Sequence, residues 1–351
     1  MAIFGCNEVR RPPHRPGISP AAATERFRAA LIEAGGTQIR LKPRAHHARL
    51  SANTLEALVA TVAFPEVVSH LHQEAKACGV SLVTTQHTTA NGLRTETCNA
   101  VQGGRTILQI RVREISQLLR AAIVIDDMGS DLDAAHKLLA LDYPLTLSVL
   151  PYRPYTQEVA QEAHRAGHEV MLHLPMEPED GAHISPGEGA IRLGMSAAQI
   201  TQVVRSDLAA VPFVVGVNNH MGSRATQDPA LMADVMQVLA ARRLYFIDSR
   251  TTPRTRALDE ARRLGVPAFY RAVFLDDTAS VPYTLTQLRT FRHLVEKNGV
   301  ALAIGHPHPT TIEALAEFLP ELERDDIELV TPSEIVRLPE VTRLNPPGAV
   351  E

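Results

Sequence analysis

The chain has 351 residues, enough for one large domain and a smaller one, each with its own core. Its formal charge of -4 gives no electrostatic case for nucleic acid or an anionic membrane as the main partner, and favours a small-molecule or neutral polymer substrate. Cys6, Cys78 and Cys98 form an odd set without CxxC spacing, which excludes a zinc knuckle and a disulfide framework.

In chain order, residues 1–50 carry Arg10-Arg11-Pro12-Pro13, Pro16, Pro20 and the basic Lys42-Pro43-Arg44-Ala45-His46-His47. Periodicity is weak there apart from a helical stretch near 22–34, so an extended, poorly ordered arm is expected. No stretch reaches the length of a membrane span, and the first residues show no apolar signal core, so no export signal is expected in the chain as written. Leu55, Leu58, Val59, Val62, Val67, Val68 and Leu71 are spaced for a helix over 54–78, interrupted near Pro65 and stopped by Gly79. Strands at 80–85 and 106–112 around a polar connection complete a small α+β module over 51–115.

From residue 121 the pattern changes to apolar strands alternating with amphipathic helices, the mark of a parallel α/β fold. Strands are expected at 121–126, 145–150, 169–174, 213–217, 244–248, 268–270, 300–304 and 327–330. Helices are expected at 131–141, 155–166, 197–210, 228–242, 254–264, 284–298 and 310–318. The fold class is therefore α/β, a distorted (β/α) barrel of about seven strands over 120–338, with 339–351 as a tail.

Functional residues gather at the carboxyl ends of these strands, where such folds place their chemistry. Ala121-Ala122-Ile123-Val124-Ile125 runs into Asp126-Asp127, two adjacent like charges that call for a cation. The next ends carry His173 with Glu177, Asn218-Asn219-His220, Asp248 with Arg250, and His306 with His308. In a barrel these positions converge on one mouth, so one metal and one substrate can be shared by residues far apart in sequence. Several readings stay open locally. Glu177 lies in a proline-rich loop, Asn218-Asn219 could be turn residues, and Asp248 with Arg250 could be a structural ion pair. His308 reads as an orienting neighbour, and His136, His164 and His168 as surface residues on or beside helices.

Ile125-Asp126-Asp127-Met128-Gly129, Ala166-Gly167-His168-Glu169-Val170 with His173, Asn219-His220-Met221-Gly222-Ser223, Phe246 to Thr251 and Ile304-Gly305-His306-Pro307 together resemble the divergent polysaccharide deacetylases. The resemblance spans 120–338 and implies a metal-dependent hydrolase that removes acetyl groups from an N-acetylated glycan of the cell envelope. It implies Asp126 as general base, His306 as general acid, and Asp248 and Arg250 as groups orienting His306, Asp126 or the sugar. It also implies a divalent ion, zinc by preference, on Asp127 and His173. The second histidine of the family's His-x-x-x-His pair is replaced by Glu177, so His220 is the expected third ligand, with Glu177 as substitute or supporting partner. The expected partner is carbohydrate, without nucleic acid or a membrane span, and the resemblance implies a periplasmic or secreted setting, or a cytoplasmic one if the chain starts as written. Two other readings remain: a catalytically altered barrel that binds a glycan or envelope partner, and a metal-dependent phosphoesterase. The latter lacks a Gly-rich phosphate cradle and a second carboxylate cluster.

Overall fold

The structure, a computed structural model, describes residues 17–42, 53–90, 92–116, 118–181 and 183–338. The expected proline-rich start, the basic stretch 43–52 and the tail 339–351 lie outside the described residues. The chain divides into two compact units, Met1–Leu118 and Leu119–Glu351.

The first unit is a five-stranded sheet with two helices, in element order α1 (Pro20–Glu33), β1 (Gly36–Lys42), β2 (Thr54–Ala60), α2 (Phe64–Cys78), β3 (Ser81–Ala90), β4 (Leu93–Gln102) and β5 (Arg105–Ile115). The sheet order is β1-β2-β5-β4-β3, and only the β2–β5 pairing is parallel. Phe27 and Leu31 of α1, Val67 and Leu71 of α2, and Leu55, Leu108 and Ile110 of the strands share its core.

Three expectations fail in this unit. Residues 20–42, expected within an extended arm preceding the module, form α1 and β1 and share its core and sheet. The segment read as a helix over 54–78 opens as strand β2: its Leu-Glu-Ala composition is helical, but seven residue pairs with β5 override propensity. Pro65 accordingly starts α2, at a position that needs no backbone donor, instead of interrupting a longer helix. The polar stretch read as a connection contains β4, whose pairing with both β3 and β5 supplies what its composition does not.

The second unit is a sheet of nine parallel strands covered by helices. Its elements are β6 (Leu119–Met128), α3 (Leu132–Leu139), β7 (Thr146–Val149), α4 (Thr156–Arg165), β8 (Val170–Met176), α5 (Ala197–Ala210), β9 (Val214–Met221), α6 (Pro229–Arg242), β10 (Tyr245–Asp248), α7 (Ala257–Arg263), β11 (Ala268–Tyr270), β12 (Val273–Phe274), α8 (Val281–Asn298), β13 (Val300–Gly305), α9 (Pro309–Arg324), β14 (Ile327–Leu329) and α10 (Pro332–Ile335). The strand order is β11-β10-β9-β8-β7-β6-β13-β12, with β14 paired to the first residues of β6. The two edge strands β11 and β12 are joined by Arg271 and Ala272 alone, so the sheet must curl until its edges nearly meet. This is the distorted α/β barrel expected from the alternating pattern. The expected strands recur within a few residues, and the added β12 is too short to show a period.

Strands β6, β8 and β13 are apolar runs buried along almost their whole length, because helices cover one face and the barrel interior the other. Helix α5 starts at a capping box in which Ser196 and Gln199 satisfy each other's backbone donors. Gly216 on β9 makes room for the ring of Tyr245 on the neighbouring strand, since a Cβ there would lie 2.2 Å from it and the ring would have to move.

Candidate metal centre and acid–base pair

Asp126 and Asp127 are adjacent on β6, and in a regular strand they would point to opposite faces. The β6–β7 ladder slips between Ile125 and Met128, and Asp127 takes φ 56°, a left-handed conformation rare outside glycine. This bulge turns both acids toward the same mouth, which is the use bulges are put to beside functional sites.

On β8, His173 is buried among apolar neighbours; on β9, Asn218 and His220 are two residues apart and so share a face. In the β8–β9 ladder His173 and Asn218 are direct partners. Three ligand atoms converge as a result. Asp127 Oδ1 lies 3.0 Å from His220 Nδ1 and 3.2 Å from His173 Nε2, and the two imidazole nitrogens are 3.1 Å apart. Asp126 stands behind them, with Oδ2 3.5 Å from His173 Nε2.

This triangle fits a divalent ion. A tetrahedral zinc with N and O ligands at about 2.0–2.2 Å holds them about 3.3 Å apart, close to the spacing found. Asp127 Oδ1 is buried and receives no hydrogen bond of acceptable geometry, so its charge is left for a cation. Burial opposes the Asp127 charge, but His173 and His220 beside it hold the carboxyl well below the usual carboxylate range. His220 is shifted down, chiefly by burial, which favours the neutral ring that a metal needs.

His306 follows β13 and faces the same carboxylates, its Nε2 3.8 Å from Asp127 Oδ2. Its Nδ1 lies 3.0 Å from Asp276 Oδ1, and its backbone N–H donates to Asp276 Oδ2 at 2.6 Å. Thr311 donates to the same Oδ2 at 2.7 Å. Asp276 therefore orients the ring and leaves Nε2 as the nitrogen that exchanges a proton with the mouth. Burial pushes the imidazolium down, but Asp276, Asp126 and Asp127 outweigh it and raise the His306 pKa to about 9. Asp126 is raised, first by burial, against the pull of His173, His306 and the Asn218 amide.

Asp248 is not placed against His306, and Glu177 is not among the converging ligand atoms. Asp248 is buried, but it accepts from the Arg250 backbone at 2.9 Å and from Thr255 Oγ1 at 3.0 Å, so it ties down the loop after β10. The partner of His306 is Asp276 instead, and the Arg250 guanidinium lies over the Tyr270 ring at 5.9 Å. Glu177 stands apart from the ligand triangle. Its carboxylate takes Arg224 Nη1 at 2.9 Å and the Leu193 backbone N–H at 2.7 Å, which fastens the loop after β8. The third nitrogen or oxygen atom near Asp127 and His173 belongs to His220 on the next strand. His308 tilts beside His306 with ring centroids 5.8 Å apart.

Asp276 and Asn218 are the residues the sequence reading undervalued. Asp276 belongs to a second Asp-Asp pair, Asp276-Asp277, just after the two-residue β12, and that pairing was the signal available. Asn218, read as part of a ligand loop or, alternatively, as a turn residue, is fully buried in a strand. Its Nδ2 donates to Asp126 Oδ1 at 2.8 Å and to Ser249 Oγ at 3.2 Å; its Oδ1 takes Ser148 Oγ at 2.6 Å and His173 Nδ1 at 2.9 Å.

Comparison with known proteins places the chain among relatives. The chain is 39% identical over 228 residues to the uncharacterized protein YibQ of Escherichia coli (strain K12), covering 65% of this chain and 70% of that one. It is 38% identical over 211 residues to an uncharacterized protein of Haemophilus influenzae, covering 60% of this chain and 74% of the relative. The crystal structure of ATU2773 from Agrobacterium tumefaciens C58 superposes with a TM-score of 0.60 at 24% identity, over 62% of this chain and 89% of that one, and shares its fold. The profile of the divergent polysaccharide deacetylases matches residues 123–336, nearly all of the unit that bears these strand-end acids and histidines. The chain belongs to the divergent polysaccharide deacetylase family.

Proposed function

We propose that the second unit is a metal-dependent deacetylase that removes acetyl groups from an N-acetylated glycan. The observation that carries this reading is the convergence of Asp127 Oδ1, His173 Nε2 and His220 Nδ1 on one point, flanked by Asp126 and His306. Asp127, His173 and His220 would hold a divalent ion, by preference zinc, which would acidify a water and polarise the acetyl carbonyl.

This chain's own residues then do the proton work. Asp126 takes the proton of the attacking water; its raised pKa makes it a better base than an ordinary carboxylate while the Asn218 amide keeps it oriented. His306, held by Asp276 through Nδ1, carries its mobile proton on Nε2 and delivers it to the departing sugar amine. With a pKa raised to about 9, His306 is charged at neutral pH and ready to act as an acid. Burial of Asp126 and His173 excludes bulk water from the base side of the site.

The alternative, a barrel that binds glycan without turning it over, draws on Glu177 in place of a histidine and on the additional amino-terminal unit. The Glu177–Arg224 pair and the position of His220 on β9 beside Asp127 support the hydrolase reading instead. The deciding experiment is acetate release from N-acetylated oligosaccharides and peptidoglycan fragments, with zinc present and after chelation. Chelator-sensitive release is expected. Absence of release across the panel by zinc-loaded protein would favour the binder.

A further inference from the structure

We propose that Asn218 is the positioning residue of this site: it fixes which nitrogen of His173 faces the metal and keeps Asp126 out of the ligand set as the base. The inference rests on the metal-centre reading above and deepens it.

A primary amide has two donors on nitrogen and two acceptor lone pairs on oxygen, and a buried one is costly unless they are used. Asn218 has both donors and two acceptor contacts occupied, by Asp126, Ser249, Ser148 and His173. The contact with Asp126 decides its orientation. An ionised carboxylate only accepts, so the group 2.8 Å from Asp126 Oδ1 must be the NH2, and Oδ1 must face His173. An amide oxygen only accepts, so His173 Nδ1, 2.9 Å away, must carry a proton. In the neutral ring Nε2 is then bare, and it is Nε2 that stands in the triangle with Asp127 and His220. The hydrogen bond from Asn218 to Asp126 thus sets the tautomer of His173 through one side chain. The second consequence concerns Asp126 itself. Its Oδ1 is engaged by Asn218, and its Oδ2 remains 3.5 Å from His173 Nε2, beside the ligand triangle instead of within it. A ligating histidine whose other nitrogen is held by a neighbour is the usual way a metal site is oriented, and here the same neighbour also holds Asp126.

Two substitutions separate the roles. Asn218→Asp keeps an acceptor toward His173 and abolishes the donor toward Asp126; Asn218→Leu abolishes both at similar volume. In full-length protein titrated with zinc alone against a chromogenic chelator, Asn218→Leu is expected to weaken zinc binding about 10–100-fold. Asn218→Asp is expected to bind zinc nearly as the parent does, while losing acetate release. Parent-like zinc affinity in Asn218→Leu, or an equal loss in both variants, would overturn the proposal. A readout free of folding effects uses the unmodified protein: ring 15N NMR, with the His173 signal assigned by its loss in His173→Gln. Nδ1 is expected to carry a proton both without and with zinc, and a bare Nδ1 in either state overturns the role of Asn218. If the unmodified chain binds no zinc, the metal reading fails, whereas the zinc-free NMR measurement still decides on Asn218.

Discussion

Asp276→Asn removes one charge from behind His306 while keeping a group of the same shape. The surroundings raise the pKa of the His306 imidazolium from an ordinary 6.5 to about 9, a preference for the charged ring of roughly 3 kcal/mol. The Asp276 hydrogen bond is the largest influence that raises it, followed by the charges of Asp126, Asp276 and Asp127. Loss of one adjacent opposite charge lowers such a pKa by about 1–3 units. The variant should therefore show His306 titrating at least about one unit lower, measured by histidine ring NMR on chelator-treated protein. In zinc-loaded protein the alkaline limb of acetate release should move down in step, because only protonated His306 can deliver a proton to the amine. Stability carries the same sign. A raised folded-state pKa stabilises fully below the unfolded value of 6.5, and the contribution is lost as pH rises through about 9. Asp276→Asn should accordingly destabilise the fold more at pH 6 than at pH 10. An unchanged His306 titration would refute the Asp276 dyad, and an unchanged alkaline limb would refute His306 as the acid.

Asp126→Asn should retain zinc and lose about 10²–10⁴-fold in acetate release, as expected for a missing general base; zinc analysis and initial rates on one preparation check both halves. Asp127→Ala, His173→Ala and His220→Ala should each lose the metal, whereas Glu177→Ala should keep it and lower only the melting temperature, through the loop it ties to Arg224 and Leu193. Stoichiometric zinc in the first three variants would sink the ligand set. Asp207 on α5 is fully buried, and burial above all raises its pKa to about 7, so its carboxylate is costly once ionised. Folding stability should therefore fall as pH rises from about 4 to 7, and Asp207→Asn should stabilise the protein above that range by up to ~4 kcal/mol. Urea unfolding at pH 5 and pH 8 tests this, and an equal effect at both would contradict it.

The second unit was legible because its signals are local. A buried parallel strand must be apolar along its whole length, as Ala121 to Ile125 are, and a helix on its flank must repeat its apolar face. The carboxyl end of each strand is the one place where such a run can turn polar without cost, so Asp126, Asp127, His173, His220 and His306 stood out in linear order. The first unit was less legible, since β2 and β4 are strands by virtue of their partners, and pairing across 55 residues leaves no mark in a window of ten. The tertiary structure alone decided the division of labour at the site. Adjacent aspartates share a mouth because β6 bulges there, a backbone event set by its pairing with β7. Glu177 and Asp248 are diverted to loops because Arg224 and Thr255 happen to face them. Asp276 and Asn218 matter through contacts with residues 30 and 45 positions away, His306 and His173, and hydrogen-bond geometry between distant strands is what no reading of residue types in sequence can supply.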